Sequence, residues 1–317
     1  ASGTLRLEPE SDIDTTLDSL LQVAGLMNNG QACVAQTRVL ASRPKYDEVV
    51  NGNRGVDRWL PKEGSLIVLP TQFLLPDAPR EGLVVNLAAL RMFYFPKAAK
   101  GEQRVVVTVP IGIGMVGWAT PEGATKIVSK RKDPVWTPPA SVRKEHAAEG
   151  DILPARVPAG PDNPLGAFAM NLGWSSYLMH GTNKPAGVGM RASHGCIRLY
   201  PEDIATLFPQ LPIGTKVTVV NQPLLYKVQD GQFYVQSFPP HEEHPEAKAA
   251  AKGQRFNKKV QEKMAQRAKS AAVTVDWALV EQVVNAAKGV AVPVTLPAVG
   301  LDQFLASALL VENRIPE

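Results

Sequence analysis

The sequence predicts a mainly β protein, and three observations carry that prediction. From about residue 82 to residue 224, short apolar runs recur with Gly/Pro punctuation between them, which is the spacing of an all-β sandwich or barrel. The 27 prolines among 317 residues disfavour long helices over most of the chain. Helical periodicity, one short helix apart, is confined to the two ends, so helices flank the strands instead of alternating with them.

Residues 1–50 hold one helical pattern, with Leu17, Leu20, Leu21, Ala24 and Leu26 near 3.6-residue spacing and Asp14 or Thr15 as its N-cap. "NGNRGVDRWLPKEGSLIVLP" (51–70) then reads as a polar turn, a Lys-Glu-Gly hairpin signal and a short apolar strand. A hairpin follows in "GLVVNLAALRMFYFP", with Val84, Val85 and Leu87 on one arm and Met92, Phe93, Tyr94 and Phe95 on the other. "RVVVTVPIGIG", "ATKIVSK", "GAFAMNLG", "SSYLMHG" and "KVTVVN" continue the strand series. "PEDIATLF" (201–208) is the expected short helix, because Pro201 suits the first helical position and Glu202 and Asp203 suit the first turn. Beyond "YKVQDGQFYV" the chain turns charged and Ala-rich, and residues 241–270 read as a solvated helix or tether. An amphipathic helix and a short extended piece (276–294) follow, with the helix ending at Gly289. The expected domains are 1–50, 51–76, 77–224 and 225–317.

Composition narrows the function classes. Hydrophobic content of 44% with 20% charged residues is that of an ordinary globular chain. No run of about 18 apolar residues occurs, so no membrane-spanning helix is expected. The basic start and apolar core of a secretory leader are also missing, which fits a cytosolic protein or a trimmed exported one. A net charge of +4 is too mild to predict a nucleic-acid partner. With only Cys33 and Cys196 there is no disulfide framework, and one free functional thiol is the expectation.

"HGTNKPAGVGMRASHGCIRL" (180–199) concentrates the reactive residue types. A cysteine nucleophile needs a thiolate, and a neighbouring imidazole can generate one. Gly195 allows a tight turn under Cys196, whose backbone N–H groups can face a developing oxyanion. His194 stands two residues before the cysteine and shares its face if the segment is extended. His180 closes an apolar run fourteen positions earlier, and a strand ending there can aim it at the thiol. Either histidine can be the base on this reading. His180, His194 and Cys196 are also zinc-ligand types, but a fourth ligand at standard spacing is missing.

The spaced "HGTN…G…SHGCIRL" pattern resembles the signature of the YkuD-type L,D-transpeptidases, cysteine enzymes of the bacterial cell wall. The resemblance runs from about residue 54 to 235, through "VPIGIG", "KDPVWTPPASVRKEHAAEGDILPARVPAGPDNPLG" and "PIGTKVTVVNQPLLY". Arg198, where much of the family has asparagine, is similar to the lipoprotein-anchoring subgroup. The resemblance implies a β-sandwich catalytic domain with Cys196 as nucleophile and His180 as general base. The Gly181 carbonyl would orient the imidazole, and His194, Gly195 and Cys196 would form the oxyanion environment. Arg198, Ser193, Arg191 and Asn183 are the implied substrate-binding residues. The implied substrate is a peptidoglycan tetrapeptide stem, cut between meso-diaminopimelate and D-Ala. The acceptor is a lipoprotein lysine, another stem's diaminopimelate, or water. No metal or organic cofactor is implied, and the implied compartment is the periplasm. A non-catalytic wall-binding scaffold is the alternative from another class.

Two shorter stretches resemble other families. "RGVDRWLPKEGSLIVLP" is similar to the back half of a LysM peptidoglycan-binding module. Residues 11–50 resemble aldehyde dehydrogenases around their cysteine, through Asn28, Gly30, Gln31 and Cys33. The nucleotide-binding domain and glutamate base of that enzyme are missing, so Cys33 is expected to be non-catalytic.

Overall fold

A computed structural model describes residues 72–97, 105–239 and 256–307. The N-terminal helical pattern, Cys33, nearly all of the LysM-like stretch and the first half of the charged segment lie outside them. Among the described residues the chain forms two compact units, one of residues 76–222 and one of 72–75, 223–239 and 256–307.

The first unit opens with the expected hairpin, β1 (Gly82–Asn86) and β2 (Arg91–Phe95). It continues through β3 (Val107–Pro110), the two-residue β4 (Ile113–Gly114) and the long β5 (Gly123–Lys132). After helix α1 (Ala140–Ala148) come β6 (Phe168–Leu172), β7 (Leu178–His180), β8 (Arg191–Ser193) and β9 (Ile197–Arg198). Helix α2 (Pro201–Gln210) and β10 (Lys216–Val220) complete it. Eight strands join in the order β3-β2-β1-β10-β5-β6-β7-β9, and β4 pairs separately with β8.

The joint in this arrangement is β5. Its first half, Gly123 to Lys126, pairs with β10, and its second half, Ile127 to Lys132, pairs with β6. The register slips between Ile127 and Ser129, and such a bulge bends a strand so that it can serve two sheets. The fully buried side chains Leu83, Met92, Ile127, Met170, Met179 and Ile197 come from both halves and form one core. On the core face of α2, Ile204 and Leu207 are buried three residues apart. Helix α1 was not foreseen by the periodicity. Only Val142 among its nine residues is buried, so it is polar nearly all round and has no apolar stripe to detect.

The second unit is more than the helical extension that the sequence predicts. Strands β11 (Leu224–Gln229) and β12 (Gln232–Ser237) form a hairpin, and β13 (Val292–Pro293) adds to β12. The hairpin turns on Asp230 (φ 49°) and Gly231 (φ 73°), the paired left-handed residues of a type I′ turn. Helices α3 (Lys258–Ser270), α4 (Trp277–Ala286) and α5 (Leu301–Ala306) accompany it. Asn257 and Asp276 cap α3 and α4 by accepting from Val260 N–H and Leu279 N–H. Helix α4 ends on left-handed Ala287, two residues before the Gly289 expected.

The reading of 241–270 as solvated needs correcting over α3. Val260, Met264 and Ala268 recur every four residues, and that stripe belongs to one apolar cluster with Phe233 and Val280. Three apolar positions among so many charges escape a composition-based reading. Met264→Ala is therefore expected to destabilise this unit by about 2–5 kcal/mol, the range for truncating a buried methionine. Denaturant unfolding followed by Trp277 fluorescence checks it, and a change near zero would mean that the stripe is not a core.

Candidate active site

The parallel pairing of β7 with β9 assembles the site. Met179 lies opposite Ile197 and His180 opposite Arg198, so the next register position sets Leu178 against Cys196. Side chains alternate along a strand, and partners across a pair share a face. Hence His180, Arg198 and Cys196 all lie on one face of this sheet edge, with buried Met179 and Ile197 turned into the core behind them. Neither strand alone carries this information. The register does.

His180 is buried, and its Nδ1 donates to the Gly181 carbonyl at 2.6 Å. A carbonyl can only accept, so the proton of the neutral ring sits on Nδ1 and Nε2 keeps its lone pair. Burial drives the imidazole pKa down to about 4, the Gly181 hydrogen bond resists this, and Arg198 pushes the same way as burial. The ring is therefore a neutral base over the whole mildly acidic and neutral range. Cys196 moves the other way. Burial raises its thiol pKa, against smaller lowering effects from a backbone hydrogen bond of Leu178 and from Arg198. The thiol also makes a weak contact with the Ser176 carbonyl at 3.8 Å. At neutral pH Cys196 therefore rests as the thiol and His180 as the neutral imidazole.

The turn under Cys196 is held from three sides. Gly195 has φ +97°, and an added Cβ would come within 2.8 Å of the Tyr177 ring, so both backbone and space require glycine there. Its carbonyl accepts from the Thr120 hydroxyl at 2.9 Å. The hydroxyl of buried Ser193 donates to the Cys196 carbonyl at 2.6 Å. The segment is not extended between His194 and Cys196, because Gly195 takes a positive φ and the chain bends there. His194 Nε2 donates to Glu145 Oε2 of α1 at 2.9 Å, and its ring meets the Trp118 ring edge-on at 4.9 Å.

The four expected substrate-binding residues separate. Arg198 has its Nε buried without a hydrogen-bond partner among the described residues. Arg91 of β2 is a cation that acts on Asp203 of α2. Ser193 has its hydroxyl committed to the turn, and Arg191 Nε donates to the Gly114 carbonyl at 3.1 Å. Asn183 is exposed two residues after Gly181. Thr120, Glu145 and Trp118 were missed by sequence reasoning, since each meets the site only through the fold.

Residues 80–219 match the family model described as the YkuD L,D-transpeptidase catalytic domain. This segment is a YkuD-type L,D-transpeptidase domain. It lies wholly within the first compact unit. Among named relatives, "Probable L,D-transpeptidase ErfK/SrfK" of Salmonella typhimurium is 44% identical over 61% of this chain and 61% of its own length. "Probable L,D-transpeptidase YbiS" of Escherichia coli is 44% identical over 59% of this chain and 60% of its own. "Probable L,D-transpeptidase YcfS" of Escherichia coli is 49% identical over 56% of this chain and 55% of its own. The chain thus spans about three fifths of the relatives it matches. The unit built on β11–β13 lies outside the L,D-transpeptidase domain.

Proposed function

We propose that Cys196 carries the acyl group in an exported, periplasmic L,D-transpeptidase acting on peptidoglycan stems. The single observation that carries this reading is the common face of Cys196, His180 and Arg198 across β7 and β9. The thiol attacks the carbonyl between meso-diaminopimelate and the terminal D-Ala, and its proton passes to His180 Nε2. The tetrahedral oxyanion collapses, His180 returns the proton to the departing amine, and D-Ala leaves a thioester on Cys196. An acceptor amine then attacks the thioester and gives its proton to the imidazole. The thiolate is expelled and regains the proton. The acceptor is a lipoprotein lysine or the diaminopimelate of another stem, and water gives hydrolysis. Incubation with purified tetrapeptide muropeptides, with and without a lysine-ended peptide, tests the reading by mass spectrometry. Release of D-Ala with a product joined through an amide supports it. Binding of the muropeptides with no D-Ala released would leave a wall-binding scaffold in its place.

Arg198 holds the donor's free carboxylate in this scheme. Its buried Nε has no protein acceptor among the described residues, and Gly187 leaves room for its Nη1, which an added Cβ would approach to 3.2 Å. A guanidinium grips a carboxylate with two parallel hydrogen bonds, which an ammonium cannot reproduce. Arg198→Lys should therefore raise KM for the donor by about tenfold, with a smaller fall in kcat. Steady-state kinetics on free and amidated donors checks this. Equal weakening of both donors would show that the arginine does not read the carboxylate.

A further inference from the structure

Thr120 sits 75 residues before Gly195 in the chain and is buried in the first unit. Its hydroxyl oxygen accepts from the Gly114 N–H at 3.0 Å and donates to the Gly195 carbonyl at 2.9 Å. These roles cannot be exchanged, because an amide N–H only donates and a carbonyl only accepts. The hydroxyl rotor is therefore fixed by its two partners.

The carbonyl of Gly195 and the N–H of Cys196 belong to one peptide unit. That unit is planar and trans, so its oxygen and its hydrogen point in opposite directions. Tying the oxygen to Thr120 sends the Cys196 N–H the other way. Without that tie the plane is free to turn, because glycine populates both signs of φ with little cost. A turned peptide would present a carbonyl lone pair where a hydrogen-bond donor had stood, and repel an oxyanion instead of stabilising it. Ser193 secures the following peptide through the Cys196 carbonyl, but nothing in that contact sets the plane before the cysteine.

The geometry points to Thr120 as a positioning residue that holds the Gly195–Cys196 peptide so that the Cys196 N–H serves as the oxyanion donor. This rests on Cys196 being the nucleophile. Thr120 itself touches no reacting atom. Its effect belongs to the charge that develops in the transition state, so it appears in the rate of acylation and not in substrate affinity.

The test uses the full chain and a carbapenem as acylating probe, comparing wild type, Thr120→Val, Thr120→Ser and Cys196→Ala. Valine keeps the shape and removes the hydroxyl, while serine keeps the hydroxyl. Stopped-flow absorbance gives the acylation rate, and isotope-edited infrared spectroscopy gives the stretch of the acyl carbonyl, which hydrogen bonds lower. Rates are expressed per folded molecule from circular dichroism melts, and Thr120→Ala replaces the valine variant if that one fails to fold. Thr120→Val is expected to slow acylation about 10- to 100-fold at nearly unchanged affinity, since a donor is misaimed and not deleted. Its acyl carbonyl stretch should rise in frequency, and Thr120→Ser should restore both readouts. Wild-type acylation with an unaffected valine variant overturns the inference alone, as does a slower variant whose carbonyl stretch stays at the wild-type value. Absence of any adduct on wild-type Cys196 overturns the nucleophile and the inference with it.

Discussion

Cys196→Ala is expected to abolish acyl transfer while leaving circular dichroism and thermal unfolding unchanged, whereas Cys33→Ala leaves turnover nearly intact. The asymmetry follows from the partners of each thiol. Cys196 shares its face with His180, sits on a turn held by Ser193 and Thr120, and feels Arg198. Cys33 lies outside the described residues, and the nearest histidine along the chain is His146, 113 positions on (146 − 33). Losing the side chain at 196 also costs the fold little, because the sulfur's contact with the Ser176 carbonyl is long and weak at 3.8 Å. Measured as D-Ala release per folded molecule, equal losses in the two variants would overturn the assignment of the nucleophile.

His180→Ala carries the second large effect, a fall of about 10²-fold or more in the acylation rate, the usual scale for a positioned general base. The pH dependence makes the test specific. Acceptance of the thiol proton requires the neutral imidazole, whose pKa burial lowers to about 4. The wild-type rate should therefore be flat from neutral into the mildly acidic range and fall only as pH drops towards about 4. The same shift bears on stability. Between about 4 and the ordinary value of 6.5 the unfolded chain binds a proton that the folded chain refuses, so this group costs stability as pH falls through that window. In His180→Ala the acid limb should vanish with the rate. His194→Ala should also slow acylation, by freeing the turn from Glu145, yet keep the limb. Near-normal acylation by His180→Ala would mean that another group is the base.

The strands were legible because their periodicity is local. Val84, Val85, Met92 and Phe93 announce a hairpin in any context that can bury them, and Pro201 with Glu202 and Asp203 announces a helix start. Helix α1 was not legible, since one buried valine in nine residues leaves no pattern. In α3 the stripe of Val260, Met264 and Ala268 was present but outnumbered by charges. At the site, His180, Gly195 and Cys196 could be named from one segment of twenty residues. The face that unites them depends on the parallel register of β7 and β9, which no local spacing encodes. Thr120 and Glu145 reach the catalytic turn from 75 and 49 residues away, and a lone threonine or glutamate at such a distance carries no signal of its own.

The upward shift of the Cys196 thiol bears on how the sulfur survives between turnovers. Peroxide and disulfides attack thiolates, and a thiol held protonated reacts with them slowly. Outside the cytoplasm there is little reductant to rescue a cysteine that has been oxidised. A resting ion pair would have exposed the nucleophile to that chemistry continuously. On the proposed mechanism the sulfur gains its charge only as an acyl donor arrives and His180 takes the proton, which would tie its reactivity to the presence of a carbonyl to attack.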